Sequence, residues 1–296
     1  DINNDGLEDI MVTEMLPEDY QRSKVSMPSM DVDGFNEIVK SGMHKQYMHN
    51  ALHLNQGNLF FSDISQMAGV AKTEWSWSVL MSDFDNDGNR DIFVANGYRR
   101  DVFDGDLKQK LADFVTANRS KYNSFQEMLR DGFKDFVNLY DPIKVRNYLF
   151  RNKGDLQFEN VSGKWGFVES SFSNGAAVGD LDNDGDLDMV INNLEDESFV
   201  YENTASSRNH FLKVKLTGPP TNKDGIGAKV TLYYDGGKMQ YFENKTVRGY
   251  LSSNEPVVHF GLGQVAKVDS INVVWNDGKV NVVSTTEANQ LLQVRY

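Results

Sequence analysis

The chain has 296 residues, with 43 acidic against 30 basic side chains for a formal charge of −13, 40% hydrophobic and 11% aromatic residues, and no cysteine. That is apolar material for about two cores of ordinary size, and 24 glycines against 6 prolines indicate many turns rather than disorder. The acidity argues against a nucleic-acid-binding surface and disfavours simple adsorption to an anionic membrane, while the missing cysteines exclude disulfides, thiolate zinc sites, iron–sulfur clusters and a cysteine nucleophile.

No transmembrane segment is present, since no run of about 18 apolar residues occurs, and no basic-then-apolar leader opens the chain. It starts instead in the middle of a motif, Asp1-Ile-Asn3-Asn-Asp5-Gly6-Leu7-Glu8-Asp9, with no strand before it, so we read it as the C-terminal part of a longer protein. The spelling returns as Asp83-Phe-Asp85-Asn-Asp87-Gly88-Asn89-Arg90-Asp91 and Asp180-Leu-Asp182-Asn-Asp184-Gly185-Asp186-Leu187-Asp188, and these 27 positions hold 13 of the 43 acidic residues. Oxygen side chains at positions 1, 3, 5 and 9 suit a hard cation such as Ca²⁺, and glycine at position 6 permits the bend that brings in the position-7 carbonyl. An EF-hand would need a bidentate Glu at position 12 and a helix after it. Position 12 is Val12, Val94 or Ile191, within β-branched runs typical of strands. Asx turns share this spelling without any ion, but close-set carboxylates lacking a cation repel one another. The first loop, cut at its leading residue, is the one where an empty turn competes best.

Phe35 to His49 has the spacing of a helix, and His44, His49 and His53 with Glu37 could share its face as zinc ligands, although a structural histidine cluster explains the spacing as well. Next comes Asn50-Ala-Leu52-His-Leu54-Asn55-Gln-Gly57, which recurs 97 residues later as Asn147-Tyr-Leu149-Phe-Arg-Asn152-Lys-Gly154. The loops at Asp83 and Asp180 are separated by the same 97, so a whole unit repeats in register: strand, Asn/Gly turn, strand, loop, strand, cation loop, strand. Four short strands per unit is the grammar of a propeller blade or β-solenoid. Trp75 and Trp77 fall on one side of a strand, fitting core packing or a sugar-stacking platform. Residues 99–141 interrupt the β grammar. Leu107, Leu111, Phe114 and Val115, then Phe125, Met128, Leu129, Phe133, Phe136 and Val137, predict a helical hairpin packed on the blades or serving as a docking element.

From about Arg208 the cation loops stop and plain alternation takes over, from Phe211-Leu-Lys-Val-Lys-Leu to Val280-Asn-Val-Val, with turn signals at Asp235-Gly-Gly and Asn276-Asp-Gly-Lys279. This predicts a small antiparallel β-sandwich or barrel of about 90 residues. His210 and His259 fall in its strands and read as structural. Gly261-Leu-Gly263-Gln-Val-Ala266 fits a dinucleotide spacing, but a β-rich segment follows where a helix is required.

The Asp-x-Asp-x-Asp-Gly-x-x-Asp loops, the Asn-x-Leu-x-x-Asn-x-Gly hairpins and the strand before each loop resemble the FG-GAP/VCBS repeats of integrin-type β-propellers. Asn209-His-Phe-Leu, Gly225-Ile-Gly-Ala-Lys-Val, Gly249-Tyr-Leu-Ser-Ser-Asn-Glu-Pro, His259-Phe-Gly-Leu-Gly and Val274-Trp-Asn-Asp-Gly resemble the ASPIC/UnbV domain that follows such repeats in cartilage-acidic-protein-like and bacterial surface proteins. The usual Trp-Pro-Asp-Gly is here Trp275-Asn276-Asp277-Gly278. The resemblance implies a mainly β fold: partial β-propeller blades with Ca²⁺-binding loops over 1–205, a helical insertion at about 99–141, and the β domain over 206–296. It implies ligands Asp83, Asp85, Asp87, Asp91 and the Asn89 carbonyl in one site, and Asp180, Asp182, Asp184, Asp188 and the Asp186 carbonyl in a second. A third, at the N-terminus, would use Asp1, Asn3, Asp5, Asp9 and the Leu7 carbonyl. A complete propeller has more blades than this, so remaining blades or a partner subunit must close the array, or it stays open. The expected function is a non-enzymatic calcium-binding scaffold of adhesion type, extracellular or on the cell surface as in an outer-membrane lipoprotein, binding a protein or glycan. The alternative is a propeller-based polysaccharide hydrolase or lyase with its acid or base outside the cation loops.

Overall fold

The computed structural model describes residues 1–26, 32–45, 47–100, 107–140 and 142–296. Three small sheets stand in succession. The first orders Ile10–Val12, Ala51–Asn55 and Phe61–Asp63; the second Ser76–Ser82, Asp91–Asn96, Tyr148–Asn152 and Phe158–Asn160; the third Phe199–Tyr201, Asp188–Asn193, Ser173–Gly179 and Ser253–Asn254. Their pairs are antiparallel except the last, where Ser253–Asn254 runs parallel to Ser173–Gly179. The 97-residue period is visible in the strands themselves: Ala51–Asn55, Phe61–Asp63 and Ser76–Ser82 recur as Tyr148–Asn152, Phe158–Asn160 and Ser173–Gly179.

Apolar runs form these strands because both faces of a blade meet a neighbour. Asp91–Asn96 is buried along its whole length. Successive side chains point to opposite faces, so Phe93 and Ala95 enter the core shared with the third sheet, and Ile92 and Val94 the core shared with the first. Burial of a side chain such as Phe93 contributes about 1.5–3 kcal/mol.

The chain leaves the blades twice. The helix expected over Phe35 to His49 is shorter, Val32–Lys40, and Gly42 ends it in a left-handed turn (φ 89°), with Gly42 N–H donating to Val39 O at 3.1 Å and Met43 N–H to Ile38 O at 3.3 Å. The predicted insertion contains helices Leu107–Asn118, Phe125–Asp131 and Phe133–Val137; residues 101–106, Asp141 and the Leu129 side chain lie outside the described residues. Leu107 and Met128 of its apolar stripe are buried and Phe114 meets Phe136 edge-on, whereas Phe125 and Phe133 face solvent.

The C-terminal β domain packs Val257–Gly263, His210–Thr217 and Gln290–Arg295 against Lys238–Glu243, Lys229–Tyr234, Lys267–Val274 and Val280–Glu287. Its core, with Leu212, Val230, Phe260, Ile271 and Trp275, is drawn from its own residues. The expected antiparallel pairing applies to every pair but one. His210–Thr217 and Gln290–Arg295 run parallel, because the chain crosses to the second sheet and returns between them.

Candidate metal centres

Each cation loop is first a backbone device. Asn4, Asn86 and Asn183 take φ of 56°, 56° and 64°, and Gly6, Gly88 and Gly185 take 86°, 94° and 97°. Two left-handed residues in three curl the loop inward, which asparagine and glycine tolerate best. The leading carboxylate holds the curl: Asp83 accepts from Asp87 N–H at 3.1 Å and Gly88 N–H at 2.8 Å, Asp1 from Asp5 N–H at 3.0 Å and Gly6 N–H at 3.1 Å, and Asp180 from Gly185 N–H at 3.0 Å. The ninth residue joins the loop's start to the next strand. Asp9 accepts from Ile2 and Asn55 N–H at 2.7 and 2.8 Å, Asp91 from Phe84 and Asn152 N–H at 3.1 and 2.8 Å, and Asp188 from Leu181 and Asn203 N–H at 2.8 and 2.9 Å.

Two loops also gather oxygens. Asp83, Asp85 and Asp91 each place one carboxylate oxygen within 4.8 Å of the others, as do Asp180, Asp182 and Asp184. In both, a buried oxygen has no hydrogen-bond partner: Asp85 Oδ1 and Asp180 Oδ1. Asp85 turns its other oxygen to Arg151 Nε at 2.6 Å, and Arg151 Nη2 reaches Asp87 Oδ2 at 2.9 Å. Asp87 is further engaged by Asn89, whose N–H and Nδ2 donate to Oδ1 at 2.9 and 3.0 Å. Burial and the neighbouring Asp87 and Asp85 charges push the Asp83 carboxyl well above its ordinary range, and burial with Asp83 and Asp85 does the same to Asp91. Burial pushes Asp186 up to about 6, against the lowering effect of the Ser206 N–H that it accepts at 2.8 Å. A dication reverses this like-charge strain, which fits the donor set to a hard metal. Among the described residues the first loop gathers no such group: Asp5 binds Leu7 N–H at 2.8 Å and Asn3 Nδ2 at 2.9 Å.

The loops are linked to one another. Asn4 Nδ2 donates to Gly88 O at 2.9 Å, and Asn86 Nδ2 to Gly185 O at 3.2 Å, so position 4 of one loop holds position 6 of the next. Asn152 Nδ2 likewise reaches Ile2 O at 2.9 Å and Asn203 Nδ2 reaches Phe84 O at 2.7 Å.

The β domain lies directly on the second and third loops, a contact the sequence reading missed. Gly263 N–H donates to Asn86 O at 2.7 Å, Asn209 Nδ2 to Asp85 O at 2.7 Å, His259 Nε2 lies 3.2 Å from Gly185 O, and Lys213 Nζ sits 2.6 Å from Asp180 Oδ2. Gly261 is glycine because a Cβ there would fall 2.0 Å from Asp83 Oδ2, and Gly185 because one would strike the Phe211 ring at 1.9 Å. Gly-Leu-Gly is thus a close-approach strand, Val257–Gly263, followed by the strand Lys267–Val274. Only its paired glycines signalled this in the sequence.

The other candidate groups are placed elsewhere. His44 lies beyond the Val32–Lys40 helix and His53 in a strand, so the three histidines share no helix face; His49 Nδ1 lies 2.8 Å from Asn50 O. Trp75 and Trp77 stand between Tyr98 and Tyr250, with ring centroids 4.3, 6.4 and 5.1 Å apart along the row.

The pattern described as FG-GAP-like repeat matches residues 30–94 and 128–191, and that described as ASPIC and UnbV matches residues 218–296. Cartilage acidic protein 1 of Mus musculus is 29% identical over 273 residues, covering 83% of this chain and 41% of its own length. The Homo sapiens protein of that name is 28% identical over the same number of residues. The chain therefore spans about two fifths of the length of the curated relatives it matches.

Proposed function

We propose that this chain, which carries FG-GAP-like repeats and an ASPIC and UnbV domain and is homologous to cartilage acidic protein 1, is part of a non-enzymatic, calcium-stabilised scaffold of adhesion type. It acts outside the cell or at its surface and binds a protein or glycan partner. The observation that carries the calcium reading is the buried, unpartnered Asp85 Oδ1 inside a group of three converging carboxylates. Asp83, Asp85 and Asp91, with Asp87 and the Asn89 carbonyl, would hold one ion; Asp180, Asp182 and Asp184, with Asp188 and the Asp186 carbonyl, a second. The first loop supplies Asp1, Asn3, Asp5, Asp9 and the Leu7 carbonyl for a third. An ion at these points neutralises carboxylates beside the joints between blades, a stapling role suited to a chain without cysteine and to the free calcium outside cells.

Further blades or a partner subunit would complete the array. Ile2 and Phe84, second in their loops, are 3% and 5% exposed beneath the following blade, whereas their counterpart Leu181 is 60% exposed. We assign 1–205 to the repeats and 206–296 to the β domain.

Calorimetry with and without a chelator tests the calcium reading. Free calcium at ten times Kd adds about 1.4 kcal/mol per site, so two sites raise Tm by about 5–10 °C. A melting curve indifferent to chelator would sink the proposal.

A further inference from the structure

The second and third loops each meet a protein cation, but under different constraints. Arg151 joins Asp85 and Asp87 from a side chain that is 39% exposed, free to swing into water when a metal arrives. Lys213 has no such freedom. Its side chain is 8% exposed and it belongs to the central strand of its sheet, where its backbone is in register with His259 on one side and Leu291 on the other. Its ammonium and the Gly185 amide share Asp180 Oδ2, while Asp180 Oδ1 stays buried and unpartnered. A dication entering the third loop must therefore compete with a fixed ammonium bonded directly to a ligand carboxylate; in the second loop the cation bonded to the ligand carboxylates is the mobile Arg151, and buried Arg90, held on Tyr241 O, acts on Asp83 only through space.

We propose that Lys213 sets the cation preference of the third loop: tethered by the β domain, it partly neutralises Asp180, so that calcium fills the second loop first and the third only at much higher concentration. This rests on reading the loops as calcium sites. The same contact makes the third loop an ionic joint for the β domain before any metal binds, since Asp180 N–H also donates to Glu255 Oε1 at 3.1 Å and Ser253–Asn254 pairs with the strand leading into that loop.

Calcium titration of the full chain by isothermal calorimetry tests this. The wild type should show a tighter and a weaker step, and Asp182→Ala, which removes an exposed third-loop carboxylate, should abolish the weaker one. Lys213→Met keeps the apolar stem and deletes the charge; the weaker step should tighten at least tenfold towards the other. Lys213→Gln should do the same, whereas Lys213→Arg, which restores a fixed cation, should leave the step weak. A gain in affinity cannot arise from a damaged fold. If Lys213→Met and Lys213→Gln leave the third-loop step unchanged or weaker while the step surviving in Asp182→Ala is normal, the role of Lys213 is overturned alone. If neither the wild type nor Asp182→Ala takes up calcium at millimolar concentration, the calcium reading falls and this inference with it.

Discussion

Gly185 shows how much one missing methyl group matters where the β domain meets the blades. Alanine there would hold a left-handed φ of 97° and drive its Cβ into the Phe211 ring. Gly185→Ala should cost at least about 2 kcal/mol in urea unfolding, through strain and overlap together. Gly154 has φ 76° but open space around it, so Gly154→Ala should cost only about 1 kcal/mol. Equal losses in the two variants would show that the Phe211 contact contributes nothing. His259 is the other informative residue. Burial, with the Lys213 charge adding to it, lowers its imidazole to about 4 from an ordinary 6.5. Between those values the unfolded chain binds a proton that the folded one refuses, so stability falls as pH drops through this window, by about 3 kcal/mol in all. The buried carboxylates titrate in the opposite sense, so the comparison is with His259→Gln, whose stability curve should lack that fall. Parallel curves for the two proteins would refute the assignment.

At the scale of the element, the blades were largely legible and their connections were not. Ile92-Phe-Val-Ala-Asn96 reads as a strand buried on both faces, and it is one, because a β-branched and aromatic run has no polar face to give to water. The helix after residue 30 read too long because apolar periodicity continues to His49, while the Gly42 turn that ends it is a single-residue signal. The loops were legible as carboxylates and glycine but not as a ladder: the asparagine at position 4 looks like turn filler until Asn86 is seen donating to Gly185 O across 99 residues. Asn86→Ala should therefore cost about 1 kcal/mol by loosening the second loop against the third. Double-mutant coupling to Gly185→Ala is the check, and simple additivity would refute a shared joint.

Across the whole molecule, the docking of the β domain was hidden because it joins residues far apart in sequence that have no repeat to reveal them, such as Lys213 with Asp180 and Gly263 with Asn86. The domain's own core uses none of these contacts. Residues 206–296 expressed alone should therefore unfold cooperatively by calorimetry, and a broad, non-cooperative melt would show that the blades are needed to fold it. The asparagine ladder also bears on how such a chain grows. Each unit carries a donor at position 4 and an acceptor at position 6, so copying one 97-residue stretch copies both halves of the joint. A duplicated unit inherits a fitting neighbour at birth, without waiting for a new surface to be selected. The array also has a direction, since each of these asparagines donates to the loop that follows it in sequence.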